Sequence, residues 1–411
     1  MFHAARIPRV RYQDPWNQTL DDRIQELRRR SAERRVVYLY EWPDTSTFRY
    51  RVYNMIQALQ ADPGISATWF SEHEIDRLIP LLDTCDTLVL CRMRYSSQVE
   101  RVIGQAQRLG IDIVFDVDDL VFDVEYIHLL LDTLDQAITP AAWDHWFAYV
   151  GRIGATMRQC NRVIVTNNYL ASKAQHFAAG KDVRVIPNFL NREQLSVSDG
   201  ILRLKRAAGF TRGGPIHLGY FSGTPTHNRD FLVLADALAE LLASDERLIL
   251  RLVGFLDLPP SLARYPDRVE RFALQDFINL QRLIGETELN LVPLRNNAFT
   301  NCKSELKYFE AAVVGTVTIA SPTFVFKDVI KDGVNGWIAN SHEWVERISA
   351  VVADWANYAV VADRAARARQ VYAPAAMMDV VRMALFGLPV GPRHRDDRML
   401  PVLTPLRDGT G

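Results

Sequence analysis

At 411 residues the chain is long enough for two α/β domains with separate cores and short for three. Hydrophobic residues (48%) and charged residues (24%) stand in the proportion of a folded globular protein, which excludes disordered and fibrous classes. A net charge of −1 excludes a general nucleic-acid binder, which needs a surplus of Lys and Arg to displace counterions.

The first eight residues hold no apolar run of signal-peptide length, and no later stretch reaches about 18 uncharged apolar residues. No membrane span is expected, and the expected compartment is the cytoplasm. Cys85, Cys91, Cys160 and Cys302 form no C-x-x-C pair and have no His at ligand spacing, so neither a disulfide framework nor a metal site is expected.

Residues 1–35 read as a helical leader. Leu20, Ile24 and Leu27 share one helix face, with Arg23, Arg28, Arg29, Arg30, Arg34 and Arg35 around it. Such a helix either packs on the next domain or touches anionic lipid at the membrane surface. From residue 36, short β-branched runs alternate with amphipathic stretches, the pattern of βαβ units and a parallel sheet. Strands are expected near 36–41, 68–71, 87–91, 111–116, 162–166 and 183–187, with helices including 49–60 and 143–159. The polar stretch 195–215 reads as a linker. A second series follows, with strands near 216–221, 248–253, 269–272, 289–292 and 317–320 and helices including 231–242 and 302–314. The expected fold is therefore α/β, two Rossmann-like domains facing a cleft. Its expected divisions are 36–205, 206–360, a helical finish at 361–388 that packs back toward the first domain, and a tail at 389–411. Ligands of such sheets sit at the carboxyl ends of strands.

Three constellations there carry chemistry. On an expected helix, Leu306, Phe309, Glu310 and Val313 share one face, so Glu310 points inward. An inward carboxylate needs hydrogen bonds, either from a core Arg or from ligand hydroxyls. Lys303, Ser304 and the start of that helix, with Arg295 in the preceding loop, suit a diphosphate. Next comes the strand–loop–helix segment running through Gly223, Thr224 and Arg229, where Gly223 lets the backbone approach a phosphate or serves only packing. It is not a G-x-G-x-x-G fingerprint, so nicotinamide or flavin binding is not indicated. Finally, Asp116, Asp118 and Asp119 end a strand, as a general base would or as helix-capping acids would. Arg49 and Arg51 open a helix at the expected cleft rim, where they would meet an anion or form surface ion pairs.

On these residues the sequence resembles the GT-B nucleotide-sugar glycosyltransferases, specifically the retaining enzymes of glycosyltransferase family 4. Glu310-Ala311-Ala312-x-x-Gly315-x-x-x-Ile319-Ala320-Ser321 is similar to the end of that family's Glu-x7-Glu motif, Asp332-Gly333-x-x-Gly336-Trp337-Ile338 to the segment after it, and Ile186-Pro187-Asn188 to the strand end before the linker. The resemblance implies that Glu310 binds the donor's ribose and that the Gly223 loop, Thr224, Lys303, Ser304 and Arg295 face its diphosphate. Arg229 stands in for the family's basic loop residue. The motif's first Glu is replaced by Cys302; either Glu305, one turn further into the helix, takes part of its role, or the subfamily binds the sugar differently. The pattern Lys303-Ser304-x-x-Lys307-x-x-Glu310 resembles a variant among bacterial surface-polysaccharide transferases. The implied activity is retaining transfer of a sugar from a nucleotide diphosphate sugar to a glycan or lipid-linked acceptor, with no cofactor or metal required. The acceptor's proton would go to a donor phosphate oxygen or to a carboxylate such as Asp118 or Asp119. A non-catalytic scaffold of the same fold and a nucleotide-sugar epimerase are the alternatives.

Overall fold

The computed structural model describes residues 8–29, 31–134, 138–210, 213–223 and 228–387. Its first sheet contains β1 (Arg34–Tyr40), β2 (Ile65–Ser71), β3 (Thr87–Cys91), β4 (Asp112–Asp116), β5 (Arg162–Val165) and β6 (Asp182–Val185), in the order β2-β1-β3-β4-β5-β6. The second contains β7 (Ile216–Ser222), β8 (Leu248–Gly254), β9 (Val269–Phe272), β10 (Leu289–Val292), β11 (Val317–Ala320) and β12 (Trp337–Ile338), in the order β12-β11-β10-β7-β8-β9. Every ladder is parallel. Helices cover both faces, which is why the strands read as near-continuous apolar runs; β7 is buried along its whole length.

These are the two Rossmann-like domains that the alternating pattern predicts. The strand order reverses between β1 and β3 in the first sheet and between β7 and β10 in the second. Loops leaving those strands must part there, and each sheet acquires a crevice at its carboxyl edge.

Three expectations change. The stretch expected as a linker is mostly the helix Arg192–Ala207, capped by the Asn191 side chain and packed on the helix Phe277–Gly285. Its buried face includes Gln194, Ser198 and Lys205, so the polarity that suggests a linker is turned inward and hydrogen-bonded. The helix expected over 302–314 is broken into Ala298–Asn301 and Leu306–Ala312. Asn167, from the first domain, donates to the carbonyls of Cys302 (2.9 Å) and Lys303 (3.3 Å), taking up acceptors that a continuous helix would use itself. The helix expected over 49–60 opens as a π-helical turn, Arg49–Tyr53, before continuing as Asn54–Leu59.

In the leader, Leu20–Leu27 is a helix packed on β2, with Leu27 fully buried. Arg23 lies over the Trp69 ring and pairs with Glu74. Its apolar face is therefore covered by protein. Arg30 and the tail 389–411 lie outside the described residues. No helix among the described residues is long and apolar enough to cross a membrane.

One apolar cluster joins the two domains, uniting Tyr38, Phe48 and Met55 with Phe277, Leu294, Phe309 and Tyr372. The helix Pro374–Phe386 returns to the first domain and lies on Asn54–Leu59. At the centre of the first domain, Arg51 is fully buried and holds Asp116 through two bonds of 2.8 and 2.9 Å, while also donating to Ile186 and Asn188. Removing the cation leaves a buried carboxylate uncompensated. Arg51→Met should lower unfolding stability by about 3–5 kcal/mol, read as a fall in the urea midpoint at unchanged slope.

Candidate functional site

The β7/β10 crevice gathers basic side chains from several elements. Arg229 comes from the first turn of the helix Asn228–Ser244, Arg295 from the loop after β10, and Lys303 and Lys307 from the broken helical segment. Asp132, at the end of a first-domain helix, binds both arginines: Arg295 donates to it at 2.5 Å, and Arg229 pairs with its other oxygen. Arg295 also lies 3.7 Å from Asp230. The Lys303 ammonium stands 4.0 Å from Asp119 and over the Phe299 ring. The site is thus bridged by first-domain carboxylates.

Gly223 is exposed, and a Cβ there would meet nothing within 4 Å. Packing does not require that glycine, which leaves its surface open to a ligand. Beside it, Gly254 has φ +94° and approaches so closely that a Cβ would lie 1.9 Å from the Ser222 carbonyl oxygen. Thr224 lies outside the described residues.

Glu310 is 4% exposed. Its Oε1 accepts from Arg49 at 3.3 Å, from Gln194 at 3.1 Å and from the Tyr50 hydroxyl, whereas Oε2 takes no bond among the described residues. Arg49 is itself held by Gln194 at 2.9 Å and by the Thr45 carbonyl at 2.8 Å, and its guanidinium covers the Tyr50 and Phe277 rings. Arg49 and Arg51 therefore do not stand at a rim. Both are buried, because the π-helical turn directs them inward at the domain boundary.

The three acids after β4 are each paired with a cation: Asp116 with Arg51, Asp118 with Arg92 at 3.2 Å, and Asp119 with Lys303. Burial raises Asp119 above the usual carboxylate range, against the pull of Lys303. Arg92 holds a left-handed backbone, φ 48°, stabilised by its bonds to Thr47 and Asp118. It lies at the first sheet's own crevice, between the ends of β1 and β3. Ser304 accepts from Asn188 at 2.9 Å, and Asn188 accepts from Arg51, so one chain of bonds runs from Asp116 across the domain boundary.

Cys302 and Glu305 both turn away from the basic crevice. Cys302 is fully buried in the first domain's apolar cluster with Phe299, and burial pushes its thiol far above the ordinary range. A carboxylate at that position would enter a hydrocarbon environment, which accounts physically for the thiol. Glu305 accepts from the Tyr372 hydroxyl at 3.0 Å, and burial pushes its carboxyl up to about 7. Sequence reading singles out neither Asp132, Tyr50 and Gln194 nor Lys307's place in the crevice; only the four-residue spacing of Lys303 and Lys307 hints at the last. Among the described residues, no group of three or more His, Cys, Asp or Glu side chains is arranged to hold a metal ion.

Two outcomes follow from these burials. Cys302→Glu should destabilise the protein by at least about 3 kcal/mol, and Cys302→Ala by about 1 kcal/mol, measured by urea unfolding. Glu305 holds its proton more tightly folded than unfolded, so its contribution is greatest below about pH 4.5 and is lost as pH rises to about 7. Glu305→Gln should remove that slope and exceed the natural protein at pH 8 by on the order of 3 kcal/mol. Parallel melting curves at pH 5 and pH 8 would show it.

Residues 216–354, which hold the β7/β10 crevice, match the family described as Glycosyl transferases group 1. No curated protein matches the sequence. Among solved structures, Anabaena HepE in complex with UDP is similar at a TM-score of 0.58 and 15% identity, covering 86% of this chain and 100% of that one. The sucrose-phosphate synthase of Thermosynechococcus elongatus gives 0.55 and 14%, covering 84% and 96%. WaaG, a glycosyltransferase involved in lipopolysaccharide biosynthesis, gives 0.53 and 12%, covering 85% and 99%. The chain has the GT-B fold of these proteins, and the segment 216–354 in its second half is similar to the group 1 glycosyl transferases.

Proposed function

We propose that the protein is a glycosyltransferase that takes a hexosyl group from a nucleoside diphosphate sugar and passes it, with retention, to a glycan or lipid-linked acceptor in surface-polysaccharide assembly. The observation that carries the reading is the ring of Arg229, Arg295, Lys303 and Lys307 at the strand-order reversal, inside the segment that matches the glycosyl transferase family. HepE, solved with UDP, and WaaG, named for lipopolysaccharide biosynthesis, support the donor and the pathway class. The work is assigned to the cytoplasmic side. A lipid-linked acceptor would be met by basic groups around the leader, whose apolar face is covered.

In this reading the ribose hydroxyls donate to Oε2 of Glu310, the oxygen left without a protein donor. The diphosphate lies against the Gly223 backbone and exchanges with Asp132 for Arg229 and Arg295. Transfer builds negative charge on the leaving diphosphate, and preorganised cations lower the barrier by meeting it there. These cations supply the counter-charge, so no metal is needed in the proposal. Asp118 or Asp119 accepts the acceptor's proton, and the raised affinity of Asp119 for protons suits it to that step.

The test is incubation with UDP-, GDP- and dTDP-sugars, following release of the nucleoside diphosphate with and without oligosaccharide or lipid-linked acceptors. Lys303→Ala should cut kcat/KM by about a hundredfold; full turnover in that variant sinks the assignment. Product released as an isomerised sugar nucleotide without acceptor would favour an epimerase. Failure to bind any of the nucleotides would favour a non-catalytic scaffold, consistent with Glu310 being tied to Arg49 and Cys302 standing where the family has Glu.

A further inference from the structure

Residues 8–18 form neither helix nor strand, yet they are laid across both domains. Asp14 and Pro15 open a turn, closed by the Asn17 N–H donating to the Asp14 carbonyl at 3.1 Å, and Asp then Pro suit the first two places of such a turn. Before the turn, Val10 meets the second-domain helix Phe277–Gly285. Its N–H donates to Oδ1 of Asn279 at 3.0 Å, and its carbonyl accepts from Nδ2 of the same side chain at 3.0 Å. After the turn, Thr19 caps the helix Leu20–Leu27, which lies on β2 of the first domain.

Asn279 is 1% exposed, and its second Nδ2 proton goes to Asp276 at 2.7 Å. The buried amide is therefore fully used only while Val10 is in place; without it a donor and an acceptor lose their partners in the interior. Rings complete the attachment. Tyr12 meets the Phe277 ring edge-on at 5.4 Å, and Trp16 stacks on that ring at 6.0 Å while touching Phe48 and Tyr53 of the first domain at 5.5 and 5.3 Å. The Arg49 guanidinium, 4.8 Å from the same ring, is the group paired with Glu310. Phe277 is thus held between residues 12–16 and the arginine of the domain contact.

The chain itself passes between the domains before the helix Arg192–Ala207 and again before the helix Pro374–Phe386. These two crossings lie side by side, with the Leu190 N–H donating to the Tyr372 carbonyl at 2.9 Å. Adjacent crossings act as a hinge, which prevents separation and leaves rotation free. A further attachment at another point, Asn279 and Phe277, restrains that rotation.

We infer that residues 8–18 are an inter-domain strap that holds the cleft at its present aperture. Undocking the strap frees one side of Phe277, loosens Arg49 on Glu310 and lets the domains swing about the hinge. The inference concerns the opening of the cleft and stands apart from the identity of its ligands.

The experiment is amide hydrogen exchange on the full chain for the natural protein, Asn279→Ala, Val10→Pro and Val10→Ala. Proline has no N–H to offer Asn279 and acts from outside either domain's core, whereas the Val10 side chain is 45% exposed and its truncation should change nothing. Melting curves establish that each variant is folded. In both Asn279→Ala and Val10→Pro, exchange should quicken about tenfold in residues 11–18 and in the boundary segments 49–59 and 306–312. The strands β3, β4 and β8 should keep their natural rates, which a general loss of stability would not allow. Small-angle scattering should show a larger radius of gyration in the same two variants. Natural exchange rates at the boundary segments, acceleration confined to one of the two variants, acceleration spread evenly over the strands, or residues 11–18 already unprotected in the natural protein would each overturn the inference.

Discussion

The carboxylate of Glu310 is the point on which the two domains close. Three donors from two separate segments, Arg49 and Tyr50 after β1 and Gln194 in the helix that leaves the first domain, converge on one of its oxygens. In a buried setting such charge-assisted bonds are stronger than in water, and leaving any member unpaired is correspondingly costly. The geometry therefore fixes the second domain's site helix relative to the first domain's β1 edge. The apolar cluster shared by Phe48, Phe277 and Phe309 fills the space around that contact. Ion pairs of Asp119 with Lys303 and of Asp132 with Arg295 span the gap between the domains, and the Glu310 contact closes its inner end.

A second set of contacts at the boundary is electrostatic and less buried. Asp132 with its two arginines, and Asp119 with Lys303, join partly exposed groups across the crevice. Pairs of this kind are screened by salt and individually weak. The boundary is thus graded, firm at Glu310 and exchangeable toward the basic ring. Such grading suits a crevice that admits an anion without separating the domains.

Much of the fold is legible in the sequence because parallel strands covered on both faces announce themselves as apolar runs: β3, β9, β10 and β11 fall where the residues place them. What pattern reading misses are the places where polar side chains are turned inward. Gln194, Ser198 and Lys205 disguise a helix as a linker, and Asn167 breaks a helix that Leu306, Phe309 and Val313 otherwise describe well. At the site, spacing identifies Glu310 as inward-facing, and one of its two readings, pairing with an Arg, is what Arg49 supplies. It offers no means of finding Asp132, whose significance arises only once a residue 97 positions before Arg229 is brought beside it. Arg49 and Arg51 read as surface groups because two arginines at a helix start usually are.

Cys302 and Phe299 belong by sequence to the second domain yet lie in the first domain's apolar cluster, alongside Leu120 and Phe122. The second half therefore carries a plug that the first half must accommodate. The two halves are not interchangeable parts: a substitution that reshapes the pocket around Leu120 or Phe122 is felt at Cys302, a few residues from the basic ring. Transplanting residues 216–354 onto a foreign first domain would mean either replacing that plug or recutting its socket, so the two halves of this chain are constrained to vary together.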